Sequence, residues 1–138
     1  MQPAQFAALK IGQTAELSKK ITDEMIRSFA ELSEDRNPAH LDDAYAKESF
    51  FKQRIAHGMI GAGLISAVMA MKLPGPGAIY LSQTLKFKAP VYIDETITAK
   101  AEVVELNESK KIVTLNTTIV KQDGTVVVEG QALIKLFQ

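Results

Sequence analysis

The spacing of hydrophobic positions changes once along the chain, near Gly77. Before that point apolar residues recur at helical spacing in two segments, and after it they alternate with polar residues as in strands. The first helical segment starts at Thr22-Asp23-Glu24, an N-cap hydroxyl followed by two acids, and should end before Asn37-Pro38. A short strand over residues 13–21 precedes it. The pattern predicts an α+β protein.

The second helical segment, residues 56–73, is apolar on every side. No charged residue lies between His57 and Lys72. A helix without a polar face must be enclosed by protein or by lipid. This run is shorter than the roughly 20 residues that cross a bilayer, and the Leu-Pro-Gly-Pro-Gly stretch at 73–77 ends it. We therefore expect a buried helix and no membrane partner. In the irregular stretch before it, residues 33–54, one short helix is expected near Asp42-Asp43.

The second half of the chain predicts four strands. They are expected at residues 79–88, as one long strand, and at 96–106, 112–121 and 125–136, with a hairpin turn at 122–124. Short connections favour an antiparallel meander, and a sheet wrapped around the apolar helix would bury both. One sheet around one helix leaves an edge strand and part of the helix uncovered, so we expect a homodimer.

Composition narrows the class of protein. The 138 residues fit a single domain spanning 1–138, and 46% hydrophobic residues can build a core. Sixteen basic residues balance sixteen acidic ones without a basic block, so nucleic acid is not an expected partner. The absence of cysteine excludes disulfides, thiolate metal sites and cysteine nucleophiles. The N-terminal residues lack the features of a signal peptide, so a cytoplasmic location is expected.

Candidate chemistry gathers around the only two histidines, His40 and His57. Asp35 lies five residues before His40, and the bend at Pro38 can bring the carboxylate and the imidazole into one pocket for acid-base work. Asp35 could equally be a turn or cap residue, and His57 a residue that is only hydrogen-bonded at the helix start. Their spacing matches no strong metal-ligand pattern, so we expect no metal.

Four further residues have a structural interpretation to be weighed against a functional one. The Gly58 amide at the helix start could donate to an oxygen that gains negative charge, or the glycine could serve close packing. Ser66, a lone hydroxyl in the apolar helix, could bond back to the preceding turn. Lys86 and Lys88 could form a solvated strand face or bind an anionic group.

Taken together, these segments resemble a known family. Residues 33–42, SEDRNPAHLD, resemble the hydratase-2 motif of MaoC-like proteins, whose core is Asp-x-Asn-Pro-x-His. His57-Gly58-Met59 and the small-residue helix follow at the family's distance, and residues 78–91 resemble the next strand. Glu34 stands where many relatives have Gly, and Ala39 replaces a larger aliphatic residue. The resemblance covers about 12–136 and is greatest to short, single-domain (R)-specific enoyl-CoA hydratases.

The resemblance implies a hot-dog fold, an antiparallel sheet wrapped around one long buried helix, in a dimer with active sites near the subunit interface. It implies a lyase that adds water reversibly and syn across trans-2-enoyl-CoA to give (R)-3-hydroxyacyl-CoA. No cofactor is implied, since coenzyme A is part of the substrate. The relatives are associated with fatty acid metabolism and with supplying monomers for polyhydroxyalkanoate synthesis.

The resemblance also assigns roles to residues. Asp35 and His40 match the family's catalytic dyad, and the Gly58 amide matches its oxyanion donor. Ser66 lies where the family has an active-site serine, while Asn37 and His57 would position the dyad. Three alternatives remain on this fold: a 3-hydroxyacyl-[acyl-carrier-protein] dehydratase, a hot-dog thioesterase, and a non-catalytic acyl-binding module.

Overall fold

One six-stranded antiparallel sheet curls around one long helix in the structure, a computed structural model that describes residues 1–138. The strand order is β1-β4-β5-β6-β2, and β3 lies beside β6 as well. A short 3-10 helix, Phe6–Ala8, precedes the first strand. The strands are β1 Thr14–Lys20, β2 Ile79–Gln83, β3 Lys86–Phe87, β4 Thr96–Asn107, β5 Ile112–Lys121 and β6 Val126–Lys135. The helices are α1 Asp23–Ser33, α2 Pro38–Leu41, α3 Asp43–Lys47 and α4 Gly58–Met71.

The alternation of apolar residues in β4 and β5 produces the core face of the sheet. Ala99 of β4 lies opposite Ile119 of β5, and Val103 lies opposite Leu115, and all four side chains are fully buried. Residues between them, such as Glu102, point to solvent. The period-2 pattern thus directs one face of the sheet onto α4, and the predicted α+β arrangement of a sheet around a helix is confirmed.

Helix α4 is covered on one side only within the chain. Ile65, Val68 and Met69 are almost completely buried against the sheet. The opposite side is exposed, which agrees with the expectation that one sheet leaves part of this helix uncovered within one chain. The exposed positions of α4 are Gly58, Met59, Gly63, Ser66, Ala70 and Met71. The helix is also shorter than the predicted 56–73, because Ala56 instead donates its N–H to the Val91 carbonyl oxygen at 2.7 Å.

The predicted single strand over 79–88 is wrong, because the chain divides there into β2 and β3. The break lies where the chain passes over Gly130 of β6. A Cβ atom at Gly130 would lie 1.8 Å from the Thr84 carbonyl oxygen, so the two backbones touch. Thr84 and Gln131 also exchange hydrogen bonds, with the Thr84 N–H donating to the Gln131 carbonyl oxygen at 2.9 Å.

The predicted meander holds for β4, β5 and β6 but not for β2. Strand β2 pairs with β6 on its outer side, and β1 pairs with β4 at the other edge. Both β1 and β2 are therefore edge strands. The turn predicted at 122–124 is present between β5 and β6.

The irregular stretch 33–54 contains more structure than its sequence indicates. The predicted N-cap of α1 is confirmed, since the Thr22 hydroxyl accepts from the Met25 N–H at 3.2 Å. The short helix α3 lies where Asp42 and Asp43 indicate, with Asp42 as its N-cap. The single turn α2 was not predicted.

No helix of the chain has both the length and the apolar character that a membrane crossing requires.

Candidate active site

The turn that leads into α2 orients Asp35. Asn37 is the N-cap of α2, and its side-chain oxygen accepts from the Ala39 N–H at 3.0 Å. The Asn37 N–H donates to Oδ1 of Asp35 at 3.2 Å, and the Asp35 N–H donates to the Ser33 hydroxyl at 3.1 Å. Short polar side chains compete well for backbone groups in such turns. The turn interpretation of Asp35 is thus correct, and it leaves the carboxylate exposed.

The two histidines stack on each other beside Asp35. Their ring centroids are 3.9 Å apart, with 30° between the planes. The Nδ1–H of His40 donates to the Ile55 carbonyl oxygen at 2.7 Å, and the Nε2–H of His57 donates to the Asp35 carbonyl oxygen at 2.8 Å. A carbonyl oxygen can only accept, so each ring nitrogen in these bonds carries the proton. The free lone pairs are therefore on Nε2 of His40 and on Nδ1 of His57.

His57 is held as a neutral, buried ring. Only 3% of the residue is exposed, Nδ1 has no hydrogen-bond partner, and the Phe29 ring lies 4.8 Å away. Burial lowers the pKa of His57 by disfavouring the charged form, and a charge on His40 would lower it further, against the opposing effect of the Asp35 carbonyl. The neutral form of His57 is therefore favoured in the folded protein.

Gly58 begins α4 with a free amide and no room for a side chain. As the first helical residue it has no acceptor within the helix, and no other group of the chain accepts from its N–H. A Cβ atom at Gly58 would lie 2.7 Å from Cε1 of Phe87, so the close-packing interpretation of this glycine is correct. The free amide and the positive end of the helix dipole point to the same place.

These groups meet at a cavity of about 470 Å³ with a mainly apolar lining. Such a cavity suits a long apolar ligand that has one polar end. His40, His57 and Gly58 line it, and Asp35 lies beside the two histidines rather than in the lining itself. The apolar lining comes from the start of α4, the 51–56 segment, strands β3, β4 and β6, and residues 89–91, and includes Phe51, Ile55, Met59, Ile60, Phe87, Pro90, Val91, Ile97 and Val127.

Ser66 does not join this group. It lies on the exposed side of α4, outside the cavity lining, and its hydroxyl does not bond to the preceding turn. Its expected place in the active site remains a prediction that this chain alone does not support. Lys88 lines the cavity and lies 3.9 Å from the Glu129 carboxylate, while Lys86 is exposed on β3 outside the lining.

A metal ion would find ligands at the same place. One ligand atom each from Asp35, His40 and His57 lie within 4.8 Å of one another. Both histidines donate their other nitrogen to a carbonyl, as metal-bound histidines commonly do. An acid-base role needs the same arrangement of side chains, so this geometry fits an acid-base site as well as a metal site. The absence of a metal therefore stays a prediction.

Two residues at the site were not found from the sequence. Phe87 alternates with Lys86 and Lys88, so the strand pattern could have placed it on the inner side. Arg54 is buried, and its Nε–H donates to the His40 carbonyl oxygen at 2.8 Å. Nothing in the local pattern distinguishes it from an exposed loop arginine.

Comparison with known proteins places the chain in one family. Residues 6–125 match the family described as MaoC like domain. The (R)-specific enoyl-CoA hydratase of Rhodospirillum rubrum is 53% identical over 94% of this chain and 89% of its own length. A solved (R)-hydratase from Aeromonas caviae, described as involved in PHA biosynthesis, is 46% identical with a TM-score of 0.91 over 94% of this chain and 98% of that one.

A more distant relative carries a different substrate in its name. The mitochondrial 3-hydroxyacyl-[acyl-carrier-protein] dehydratase FERN of Solanum lycopersicum is 37% identical over 93% of this chain and 78% of its own length.

The expected hot-dog fold is confirmed by the structural match to the Aeromonas caviae protein. With the family match over most of its length, this chain belongs to the MaoC-like domain family.

Proposed function

We propose that the protein is an (R)-specific enoyl-CoA hydratase, a hydro-lyase that adds water reversibly and syn across trans-2-enoyl-CoA. The observation that carries the proposal is that Asp35 lies beside His40, whose Nε2 lone pair is free, and that His40 and the free Gly58 amide line one apolar cavity. The similarity to proteins named for this activity, at 46–53% identity, supports it.

The dyad would divide the proton transfers. Nε2 of His40 takes a proton from water as the water oxygen attacks C3 of the enoyl group, because Nδ1 already holds a proton. Asp35, in its protonated form, delivers a proton to C2. A proton passing from His40 to Asp35 then resets the pair, and the sum of the steps is one water added.

The Gly58 amide would stabilise the negative charge that develops on the substrate between these two proton transfers. As water adds to C3, electrons move onto the thioester oxygen, which becomes enolate-like. The Gly58 N–H at the start of α4 is free to donate to that oxygen, and the helix dipole acts in the same direction. Asn37 and His57 hold the turn and the ring stack in place, which is a positioning role.

The test follows the loss of the conjugated enoyl-thioester absorbance with crotonyl-CoA, together with the chirality of the product. Asp35→Asn and His40→Ala should each lower kcat by about a hundredfold or more, because each removes one proton-transfer group. Glu34→Gln is the matched control, since it makes the same carboxylate-to-amide change one residue away on an exposed side chain. An inactive wild type on short and long enoyl-CoAs would refute the proposal.

The carrier-protein alternative is supported by the names of more distant relatives, the tomato protein among them. Comparing crotonyl-CoA with crotonyl-acyl-carrier protein at equal concentration decides between them. A higher kcat/KM on the carrier protein would favour the dehydratase. Release of free coenzyme A would indicate the thioesterase, and binding without turnover the acyl-binding module.

We also propose that the protein is a homodimer. The exposed side of α4 is apolar at Met59, Ala70 and Met71, and the edge strand β2 exposes Ile79 and Leu81. An edge strand and an apolar helix side next to water are features that a second copy can cover. Sedimentation should give twice the 15.1 kDa chain mass. Ala70→Glu should shift the protein toward monomer, and a monomeric wild type would contradict the proposal.

A further inference from the structure

Arg54 is a buried charge that the proposed chemistry does not use. Its side chain is 5% exposed. Its Nε–H donates to the His40 carbonyl oxygen at 2.8 Å, and one terminal nitrogen donates to the Asp23 carboxylate. The other terminal nitrogen lies 3.7 Å from Oδ1 of Asp43. Arginine is almost never fully buried unless it is paired, so these three partners account for the burial of the guanidinium.

The partners of Arg54 belong to three different helices. Asp23 is the first residue of α1, His40 lies in α2, and Asp43 is the first residue of α3. The planar guanidinium presents several N–H donors at fixed angles, so it can bond to all three elements at once, which a lysine ammonium on a flexible stem does less well. Helix α2 is a single turn and has no stability of its own. It depends on such outside contacts.

The backbone next to Arg54 holds the other side of the His40 residue. The Ile55 carbonyl oxygen accepts from Nδ1–H of the His40 ring, and the Ile55 N–H donates to the Ala39 carbonyl oxygen at 3.2 Å. The next residue, Ala56, is bonded to Val91 at 2.7 Å. Residues 54–56 therefore connect α2 to the 91–92 segment, and His40 is held by its carbonyl through Arg54 and by its ring through Ile55.

We propose that Arg54 is a positioning residue that keeps α2 against residues 54–56, so that the His40 ring stays bonded to Ile55 with its Nε2 lone pair free. Its kinetic consequence rests on the function proposed above, while its effect on the ring does not. The charges agree with this role. The Arg54 guanidinium first, and Arg27 second, hold the pKa of Asp23 below its usual value, so Asp23 stays ionised as the partner of Arg54.

The kinetic test compares two variants with a matched control. Arg54→Met removes the charge and all donors at similar length, and Arg54→Lys keeps the charge toward Asp23 but lacks the Nε–H donor to His40. Both should lower kcat on crotonyl-CoA by about tenfold to a hundredfold with KM changed by less than about threefold, since a small misplacement of a reacting group has effects of that size. Arg27→Met is the control, because Arg27 bonds to Asp23 at 3.0 Å without touching His40.

The direct test observes the ring itself. With only two histidines in the chain, ¹⁵N labelling of histidine gives two imidazole spectra, which His57→Gln assigns. At pH 8 the wild type should show His40 as the Nδ1–H form and His57 as the Nε2–H form. In Arg54→Lys and Arg54→Met the His40 signals should move toward a mixture of the two forms, while those of His57 stay unchanged.

Three outcomes would overturn the proposal. One is an unchanged His40 spectrum and unchanged kcat in folded Arg54→Lys and Arg54→Met. Another is an equal loss of kcat in Arg27→Met. The third is a loss that follows only the unfolded fraction measured by circular dichroism. If Arg54→Met does not fold, Arg54→Lys decides alone. A wild type inactive on enoyl thioesters would refute the proposed function, and the histidine spectra would still test the role of Arg54.

Discussion

The sheet and the 34–57 segment, which carries Asp35, His40 and Arg54, are held together in different ways. Strands β4 and β5 are joined by a regular backbone ladder and by apolar side chains that alternate along each strand. The 34–57 segment is held largely by single bonds between a side chain and a distant backbone group, such as His40 to Ile55 and His57 to Asp35. A ladder tolerates the loss of one member, whereas a single bond has no substitute. We therefore expect changes in the sheet to affect stability and changes in the segment to affect catalysis.

The largest effect on stability should come from the middle of the sheet. Leu115 of β5 is fully buried and lies outside the cavity lining. Leu115→Ala should lower the free energy of unfolding by about 2–5 kcal/mol, because it removes buried apolar surface and leaves a cavity. Urea denaturation measures this loss, and kcat per folded molecule should stay within about twofold.

The control for Leu115→Ala is Glu102→Ala, an exposed position on β4. It should change the free energy of unfolding by less than about 0.5 kcal/mol. A folded Leu115→Ala protein whose kcat has fallen as far as that of Asn37→Ala would contradict the division between the two regions.

A smaller change in stability with a larger change in rate is expected at Asn37. Asn37→Ala removes the side-chain acceptor of the Ala39 N–H and should cost about 1 kcal/mol in the free energy of unfolding. Loosening of α2 should also lower kcat on crotonyl-CoA by about tenfold, since His40 lies in that turn. Asn37→Asp keeps an N-cap oxygen and should therefore retain most of the stability and most of the kcat that Asn37→Ala loses. If Asn37→Asp and Asn37→Ala behave alike, the cap does not act through this bond.

The same difference between the sheet and the 34–57 segment explains which features could be predicted from the sequence. The alternation in 96–106 and 112–121 locates β4 and β5 to within a residue, because each apolar position in a strand with one buried face repeats the same signal. The break in the strand at 79–88 was not predicted, because it depends on Gly130, nearly fifty residues away. The missing side chain of Gly130 lets the Thr84 backbone approach β6. Long-range backbone contacts of that kind leave no local pattern.

The candidate site likewise has features that the sequence predicts and features that it does not. Motif resemblance brought together Asp35, His40, His57 and Gly58, and the structure places all four within one neighbourhood. The tautomers of the two rings depend on the carbonyls of Ile55 and Asp35, and the role of Arg54 depends on helices that lie apart in sequence. Only the folded chain reveals these. Ser66 is the converse, a motif residue that the single chain leaves outside the cavity.

The smallest expected effect is a pH dependence of stability at His57, where the two regions meet at the start of α4. Burial lowers the pKa of His57 in the folded protein below the value of 6.5 that it regains on unfolding. Below pH 6.5 the unfolded chain therefore binds a proton that the folded chain does not. The stability linked to His57 is fully present above that pH and is lost as the pH falls through the folded pKa, at no more than about 1.4 kcal/mol per pH unit.

The measurement is the free energy of unfolding between pH 8 and pH 5 for the wild type and for His57→Gln. Carboxylates such as Asp23 titrate in both proteins, so the difference between the two curves isolates His57. The wild type should lose more stability on acidification than the variant does. Parallel curves would mean that the ring is protonated as easily when folded as when unfolded. The unpartnered Nδ1 would then be reached by water, and burial would not hold the His57 ring in its neutral form.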